Sequence, residues 1–411
     1  MDILGLRNLT VIEDAVSLIR KEHNPDFDIE RIPIDDKKSY DHLCDGRGVG
    51  VFQLESRGMR QLMKDMKPQV FEDVIALLAL YRPGPLGSGM VNDFVSNKLG
   101  KTTVKYPIDA LEPILKETYG MIVYQEQVMQ IASIIGGFSL AQADMLRRAM
   151  GKKKKSEMDR LREEFLIGAK EKGFPVKKAE NVFELCYKFA EYGFNKSHST
   201  AYALISYQTA YLKSHYLVDY MSALLSSVVS NSDKTSLYIQ ECQDLNINVL
   251  PPHVNESLRN FTVIRKDTDS TKDTHDDIRF GLSAIKNVGE GAIDSIIEEG
   301  PFSDLADFCM KVDLRQCNKR VIESLIKSGA MDAFGERSLL LGIYESALEH
   351  AQVLVRERSN GQVALFSDNQ AGVGFSIENI SDSLLMNETF LSGILVEGWL
   401  AAITGISRFS R

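Results

Sequence analysis

Six cations lie within the nine residues from Arg147 to Lys155, in the sequence LRRAMGKKKK. Arg147 and Arg148 precede a glycine, and Lys152 and Lys153 begin a run of four lysines. Arginine can hold two phosphate oxygens with parallel hydrogen bonds, whereas lysine acts as a point charge. The arginine pair therefore favours a triphosphate or a backbone-phosphate site. The lysines could equally form a solvated face, which is the usual environment of such a run.

A second candidate site lies in the segment YGFNKSHSTAY at residues 192–202. Lys196 and His198 flank Ser197 at the predicted start of a long helix. A helix N-terminus presents free N–H groups to an anion, and the two basic side chains would add positive charge. The alternative is that Ser197 only caps the helix and His198 fills a groove, and both interpretations remain open.

The segment YRPGPLGSG at residues 81–89 contains Arg82, two prolines and three glycines. This composition predicts that the preceding apolar helix ends here. Glycine lets a backbone approach a ligand closely, so the segment and Arg82 form a candidate phosphate contact. A purely structural turn is the alternative for such a Pro/Gly loop.

Two units between residues 282 and 345 have the pattern of helix-hairpin-helix motifs. In IKNVGEGAIDSII, Lys286 precedes a turn at Gly289 and Gly291, whose backbone N–H groups could face a phosphate. A similar unit follows with its turn at Gly329. One glycine turn is weak evidence, since helices commonly end on glycine. Two in tandem favour sequence-independent binding of duplex DNA.

Two short features carry little information when they are taken alone. Asp2, in MDILGL, is a single carboxylate beside an apolar run. The string QVALF, with Gln362, Leu365 and Phe366, lies in a loose polar context and suits docking of an extended peptide into an apolar pocket. Such a short string also recurs by chance.

Charge is distributed unevenly along the chain of 411 residues. The net charge is -9, yet residues 80–215 hold 20 Lys and Arg against 14 Asp and Glu, a balance of +6. A basic middle in an acidic chain indicates a local anion site. No apolar stretch is long enough to predict a membrane span. The five scattered cysteines are typical of reduced thiols, and the expected location is the cytoplasm.

The hydrophobic periodicity predicts a mainly α fold. We expect a short strand at the N-terminus followed by a helix over LTVIEDAVSLIRKEH, and an almost wholly helical region from about residue 40 to 229. Ser139 and Gln142 form a predicted capping box that opens a helix closing at Gly151. No G-x-G-x-x-G or P-loop string is present, which argues against an unrelated phosphate-cofactor enzyme.

Taken together, the motifs resemble the family of bacterial replicative DNA polymerase III alpha subunits, the C-family DNA polymerases. The segments that carry the resemblance are MDILGLRNLT, GVFQLESRGMRQLM, ALYRPGPL, ADMLRRAMGKKK and FAEYGFNKSHSTAYALISYQTAYLK. They occur in the family's order and cover residues 1–370. The similarity is far more specific than any single motif.

The resemblance implies a role for each candidate residue. Asp2 is similar to the third palm carboxylate that holds catalytic Mg2+. Arg147, Arg148, Lys196, His198 and Arg82 would contact the incoming dNTP. Primer-template DNA would be bound by the hairpin residues and the lysine run, namely Lys152, Lys153, Lys286, Gly289, Gly291 and Gly329. Gln362, Leu365 and Phe366 would bind the sliding clamp, and other replicase subunits are further expected partners.

The implied domains are a palm remnant at 1–24 with minor β structure, helical fingers at 25–228 and a tandem helix-hairpin-helix domain at 229–345. A helix end and clamp-binding linker would follow at 346–375. The tail at 376–411 departs from the family, and two further palm aspartates are absent, so we expect a fragment that is inactive alone. The implied reaction is addition of dNMP to a primer 3′-hydroxyl. The alternative is a non-catalytic module that binds DNA and the clamp.

Overall fold

A computed structural model describes residues 5–152, 155–189, 193–266 and 275–359. Side chains are described throughout these ranges except at 150–152, 155–156 and 357–359. The chain divides into two compact units, Met1–Leu217 and Val218–Arg411.

The first unit is built from helices joined by short turns. The helices are α1 (Arg7–Glu22), α2 (Lys37–Cys44), α3 (Arg57–Met66), α4 (Phe71–Leu80), α5 (Pro83–Gly87), α6 (Met90–Lys98), α7 (Glu112–Leu115), α8 (Gln125–Ile134), α9 (Leu140–Lys152), α10 (Lys155–Glu171), α11 (Val176–Phe189) and α12 (Lys196–His215). Single 3-10 turns lie at Ile29–Arg31, Asp109–Leu111 and Lys116–Thr118.

One hydrophobic core of this unit forms where α4 packs against α12. The sequence of α4, FEDVIALLAL, is apolar on nearly every side, which is the pattern of a helix buried all round. Small residues of α12, Ala203 and Ala210, are fully buried in the same core and let the two helices approach closely. The Ser199 hydroxyl donates to the carbonyl oxygen of Ile75 at 2.7 Å, so the start of α12 is fixed on α4.

A buried ion pair holds the first turn of α4 to α6. The Lys98 ammonium lies 2.8 Å from the Asp73 carboxylate, and the Tyr119 hydroxyl donates to its other oxygen at 2.9 Å. The two charged side chains are 5% and 1% exposed. Asp73 also accepts from the backbone N–H of Gln69, so the buried carboxylate is fully hydrogen-bonded.

A second core joins α8, α9, α10 and α11. Its centre is aromatic, with the ring of Phe165 6.1 Å from that of Phe138 and 5.4 Å from that of Phe183. A Cβ atom at Gly168 would collide with the carbonyl of Gly136, so α10 can lie against the end of α8 only because residue 168 is glycine.

The second unit combines helices with one small sheet. The helices are α13 (Leu217–Ser227, whose first residue precedes the unit boundary), α14 (Ser232–Asp244), α15 (Glu290–Glu299), α16 (Leu305–Lys311), α17 (Lys319–Lys327) and α18 (Arg337–Ser359), with 3-10 turns at Leu282–Ala284 and Asp332–Phe334. The strands are β1 (Val249–Leu250), β2 (Thr262–Ile264) and β3 (Asp277–Arg279).

The sheet has the order β1-β3-β2, so β3 is the central strand and pairs with a neighbour on each side. Ile278 lies opposite Val249 in the parallel pair and opposite Val263 in the antiparallel pair. It is fully buried. None of the helices in the described ranges combines the length and the apolar composition that crossing a bilayer requires.

The prediction of a mainly helical fold is confirmed. The minor β structure, however, was expected at the N-terminus, where residues 1–4 lie outside the described part and α1 starts at Arg7. The described strands lie between residues 249 and 279 and were not predicted. Each is two or three residues long, too short to show a period of two in the sequence.

One helix end differs from the expectation. Helix α9 runs to Lys152, so Gly151 lies inside it rather than closing it. The first compact unit ends at Leu217, and the predicted fingers boundary at 228 stays a prediction. The Ser222 hydroxyl of α13 donates to the carbonyl oxygen of Phe261 at 2.9 Å, and Asp219 pairs with Arg265 at 2.5 Å. These contacts attach α13 to the second unit. Because the partners are distant in the sequence, the local sequence around α13 does not predict them.

Candidate anion-binding site

The start of α12 is capped by Asn195 rather than by Ser197. The Asn195 side-chain oxygen accepts from the backbone N–H of His198 at 2.8 Å. Ser197 is the second residue of α12, so of the two alternatives left open, capping of the helix by Ser197 is not found. Asn195 is a favourable N-cap because its amide oxygen replaces a missing intrahelical acceptor.

His198 belongs to a row of rings rather than to a groove. Its ring centroid lies 4.4 Å from that of Tyr202 and 5.6 Å from that of Phe194. Tyr202 in turn lies 5.4 Å from Phe52. His198 and Tyr202 are four residues apart on one helix and therefore stack along the same face. The imidazole remains exposed to solvent.

Arg82 extends this row at its other end. Its guanidinium carbon lies 4.3 Å from the ring centroid of Phe194, which is a cation–π arrangement. Its Nε donates to the carbonyl oxygen of Ala79 at 2.8 Å. Partial burial lowers the pKa of Arg82 from its ordinary value. The guanidinium is thus held over the Phe194 ring, which also contacts the His198 ring.

Lys196 is already paired in the structure. Its ammonium lies 2.7 Å from the Glu117 carboxylate and 5.5 Å from the centroid of the Tyr124 ring. Its backbone N–H donates to the Glu126 carboxylate at 2.9 Å. A phosphate would therefore meet Lys196 only after the ammonium leaves Glu117.

Arg147 and Arg148 share one carboxylate. Asp144 lies 2.7 Å from Nη2 of Arg147 and 2.8 Å from Nε of Arg148. Hydrogen bonds from Arg147, together with the nearby charge of both arginines, lower the pKa of Asp144. Two guanidinium groups balanced by one carboxylate leave excess positive charge on this face of α9. The predicted capping box is present, because Ser139 and Gln142 hydrogen-bond reciprocally at the start of α9.

Gln125 connects the arginines to the start of α12. Its side-chain oxygen accepts from Nη1 of Arg147 at 3.3 Å, and its side-chain nitrogen donates to the carbonyl of Gly193 at 3.2 Å. Its backbone N–H donates to the carbonyl of Phe194 at 2.9 Å. Contacts through Gln125 and Phe194 therefore connect Arg82, Arg147 and His198 with the start of α12, where Lys196 lies, whereas the contact shown for Arg148 is with Asp144 on its own helix.

Several candidate residues lie outside the described part of the chain. These are Asp2, Lys153, Gln362, Leu365 and Phe366, together with the side chain of Lys152. In the described residues, no group of three or more His, Cys, Asp or Glu side chains is placed to hold a metal ion.

The first helix-hairpin-helix turn is open to solvent. Gly289 is exposed, precedes α15 as its N-cap residue, and would have no atom within 4 Å of an added Cβ. Lys286 is exposed as well. Gly291 lies against the side chain of Gln316, whose end would have to shift to admit a Cβ atom there. The exposed turn with its preceding lysine can approach a phosphate closely.

The second turn is closed. Gly329 is buried with φ of +85°, and its N–H already donates to the carbonyl of Ile326 at 3.0 Å. The Arg337 side chain covers it and is held by the Asp332 carboxylate at 2.6 Å. Gly329 thus ends α17 in the left-handed conformation that favours glycine.

Four residues of the site were missed in the sequence. Asp144 lies three and four residues before the two arginines, a spacing that predicts an ion pair on one helix face. Glu117 and Gln125 reach the site from other elements, and only the fold brings them there. Phe194 belongs to the segment 192–202 itself, but the local sequence does not indicate that its ring packs against Arg82.

Two family models match the chain, one in each of its two compact units. Residues 8–173 match the model of the bacterial DNA polymerase III alpha subunit finger domain. Residues 246–340 match a helix-hairpin-helix motif model.

The chain is also similar to curated proteins along most of its length. The DNA polymerase III subunit alpha of Campylobacter jejuni is 47% identical over 92% of this chain and 31% of its own length. Those of Pseudomonas aeruginosa and Escherichia coli K12 are each 45% identical over 89% of this chain, and over 33% and 32% of their own lengths. The chain spans about a third of the length of the curated relatives it matches.

These matches define a helical finger domain and a helix-hairpin-helix region of a polymerase subunit. The chain belongs to the family of bacterial DNA polymerase III alpha subunits.

Proposed function

We propose that this chain supplies the incoming-nucleotide and duplex-DNA contacts of a replicative DNA polymerase. Its reaction would be template-directed addition of dNMP to a primer 3′-hydroxyl with release of pyrophosphate. The observation that carries the proposal is the set of contacts around Phe194: Arg82 and His198 lie against its ring, and Gln125, which binds its carbonyl oxygen, also holds Arg147. Family membership supplies the reaction class.

The triphosphate would bind where the guanidinium groups are already held. Arg147 is fixed by Gln125 and Asp144, so its free N–H groups need little reorganisation to hold phosphate oxygens. Such preorganised donors stabilise charge that develops on a leaving pyrophosphate. A triphosphate carries more negative charge than the Asp144 carboxylate and would compete with it for both arginines.

Lys196 would act after an exchange of partners. Its ammonium is neutralised by Glu117, and a phosphate would have to replace that carboxylate. His198 is exposed at the helix start and adds a hydrogen-bond donor whose direction is set by the ring of Tyr202. Arg82 would meet the same ligand from the Phe194 side.

Duplex DNA would be held at the first hairpin, where Lys286 and the N–H groups at the start of α15 are exposed. Contacts of this kind reach phosphates and carry no base sequence. The buried Gly329 supports its hairpin structurally, so our proposal places the phosphate contact at residues 286–291. Lys152 and Lys153 are proposed to face the template backbone or solvent.

A divalent metal dependence goes with the polymerase family, and we propose Mg2+ with Asp2 as one of its ligands. Metal chemistry would activate the primer hydroxyl and neutralise the leaving group. The described residues do not form such a metal site. The sliding clamp, bound through Gln362, Leu365 and Phe366, and other replicase subunits are the proposed partners, in the cytoplasm.

The experiment that tests the nucleotide site is calorimetric titration of the 411-residue chain with dATP, dAMP and deoxyadenosine. We expect affinity to fall steeply with each lost phosphate, because the contacts are to phosphate oxygens. Inorganic tripolyphosphate should compete with dATP. Equal affinity for dATP and deoxyadenosine would overturn the assignment of the arginines to the phosphates.

A further inference from the structure

Glu117 is the acidic residue that binds the Lys196 ammonium. It lies in the 3-10 turn Lys116–Thr118, and both of its carboxylate oxygens accept from the ammonium, at 2.8 and 2.7 Å. The Glu117 and Lys196 side chains are 30% and 33% exposed. A dissolved phosphate can therefore reach the ammonium from solvent, but it must compete there with a carboxylate.

The turn that carries Glu117 is held on both sides of the residue that follows it. The side chain of Gln127 donates to the Thr118 hydroxyl at 2.8 Å, and the Asn97 amide donates to the carbonyl oxygen of Tyr119 at 3.0 Å. Gln127 and Thr118 are both buried. An open cavity of about 400 Å³ borders Glu117 and gives its carboxylate room to leave the ammonium. An exchange of partners therefore requires movement of the Glu117 side chain and leaves the backbone of the turn in place.

Lys196 also has contacts that do not depend on Glu117. Its ammonium lies 5.5 Å from the centroid of the Tyr124 ring, which is buried and attracts a cation through its face. Its backbone N–H donates to the Glu126 carboxylate at 2.9 Å. These two contacts can hold Lys196 at the start of α12 after Glu117 has left, so the ammonium remains available to a phosphate.

Two consecutive residues of α8 connect Lys196 with the arginine pair. Gln125 accepts from Nη1 of Arg147 at 3.3 Å, and Glu126 accepts from the backbone N–H of Lys196. A phosphate chain anchored at Arg147 can present a further phosphate to Lys196 without a second loss of translational freedom. A single phosphate that binds Lys196 alone bears that whole cost, while it competes with a carboxylate that the fold keeps at high effective concentration.

We propose that Glu117 is a specificity-determining residue of the nucleotide site. It acts as an internal competitor, which keeps Lys196 from single phosphates and releases it to a phosphate chain that is anchored at Arg147. The residue thereby favours ligands with several phosphates over inorganic phosphate. This inference rests on the proposed function, because the proposed function assigns the anchoring phosphates to Arg147.

The test is Glu117→Gln, which removes the negative charge and keeps a side-chain oxygen that can accept a hydrogen bond. The 411-residue chain and the variant are titrated calorimetrically with inorganic phosphate and with dATP at fixed ionic strength. Inorganic phosphate should bind the variant roughly two- to fivefold more tightly, as for removal of one partly exposed ion pair. The gain for dATP should be smaller, because its contacts with Arg147 are present in both chains. The preference for dATP over inorganic phosphate should therefore fall, and an unchanged or increased preference would overturn the inference.

A second substitution tests whether the gain passes through Lys196. In the double variant Glu117→Gln with Lys196→Ala, the gain for inorganic phosphate should disappear, because no ammonium is left to be released. Glu72→Gln is the matched control, since Glu72 is exposed and lines the same cavity as Glu117. It should leave both affinities unchanged. A gain that survives Lys196→Ala, or an equal gain from Glu72→Gln, would mean that general negative charge and not the pairing with Lys196 limits phosphate binding.

The inference and the proposed function fail in different ways. If Arg147→Ala weakens dATP binding while Glu117→Gln leaves the preference for dATP unchanged, the inference alone is refuted. If neither Arg147→Ala nor Arg148→Ala changes the affinity for dATP, the proposed nucleotide site is refuted and the inference with it. Thermal unfolding of each variant identifies any change in binding that follows from misfolding. Glu117→Ala, which also frees the ammonium, carries the same test if Glu117→Gln is unstable.

Discussion

The two arginines of α9 should differ in their contribution to triphosphate binding, although they are adjacent in sequence. Arg147 is 32% exposed and is held by both Asp144 and Gln125. Arg148 is 68% exposed, and Asp144 is its ion-pair partner. A preorganised side chain loses less conformational freedom when it binds, so more of its interaction energy appears as affinity.

The magnitudes follow from this difference in environment. For Arg147→Ala we expect a loss of roughly 1.5–3 kcal/mol, the range for hydrogen bonds to charged groups. That is about 10- to 150-fold in the dissociation constant for dATP. For Arg148→Ala the expected loss is roughly 0.2–1 kcal/mol, the range for exposed ion pairs.

The assay is calorimetric titration with dATP at fixed ionic strength, with and without Mg2+. Arg160→Ala is the matched control, because Arg160 is 56% exposed and pairs with Glu164 at the same i,i+4 spacing on α10. Its affinity for dATP should equal that of the unmodified chain. Equal losses for Arg147→Ala and Arg148→Ala would refute the reasoning from preorganisation. Equal losses for all three variants would mean that general positive charge, and not a site, attracts the nucleotide.

The remaining predictions concern catalysis, DNA, the clamp and stability. Primer extension by the 411-residue chain with Mg2+ and all four dNTPs should be undetectable, since two-metal chemistry needs several converging carboxylates, and any extended product would contradict this. Duplex binding by residues 218–359 of the intact chain should weaken as salt rises from about 50 to 200 mM and should be reduced by Lys286→Ala, with salt-independent binding as the contrary result. In a peptide spanning residues 358–370, Leu365→Ala with Phe366→Ala should abolish binding to a bacterial sliding clamp, because burying each side chain contributes roughly 1.5–3 kcal/mol, and unchanged affinity would place the contact elsewhere. Lys98→Ala should lower the free energy of unfolding by roughly 3–5 kcal/mol in a denaturant titration, because Asp73 is left buried and unpaired, whereas a loss below 1 kcal/mol would mean that water reaches the carboxylate.

Local sequence was sufficient to predict the helices, and it also indicated the cations that we assign to the proposed nucleotide site. The capping box at Ser139, the helical face that carries Arg147 and the start of α12 all follow from short-range rules of spacing and composition. What local sequence missed was the partner of each cation. Gln125 and Phe194 reach the arginines from other helices and turns. Gln125 and Arg147 are 22 residues apart, and no helical or strand spacing predicts a contact at that separation.

Lys196 and the two hairpin glycines also show that spatial neighbours, which local sequence does not reveal, decide what a residue can bind. In the sequence, Lys196 is a cation at a helix N-terminus, where a phosphate contact is expected. In the fold, its ammonium is already bound by the carboxylate of Glu117, which lies 79 residues earlier in the chain. By sequence, Gly289 and Gly329 are equivalent turn glycines; in the fold, one is exposed with open space around it and the other is buried under an arginine. Residue type states what a group can bind, but competition for that group is decided by its neighbours in space. The free energy of ligand binding is a difference between the new contact and the one it replaces. We therefore expect Arg147 to contribute most to ligand binding, because its guanidinium keeps N–H groups that Asp144 and Gln125 do not use, and Lys196 to contribute least, because its ammonium must first leave both oxygens of Glu117.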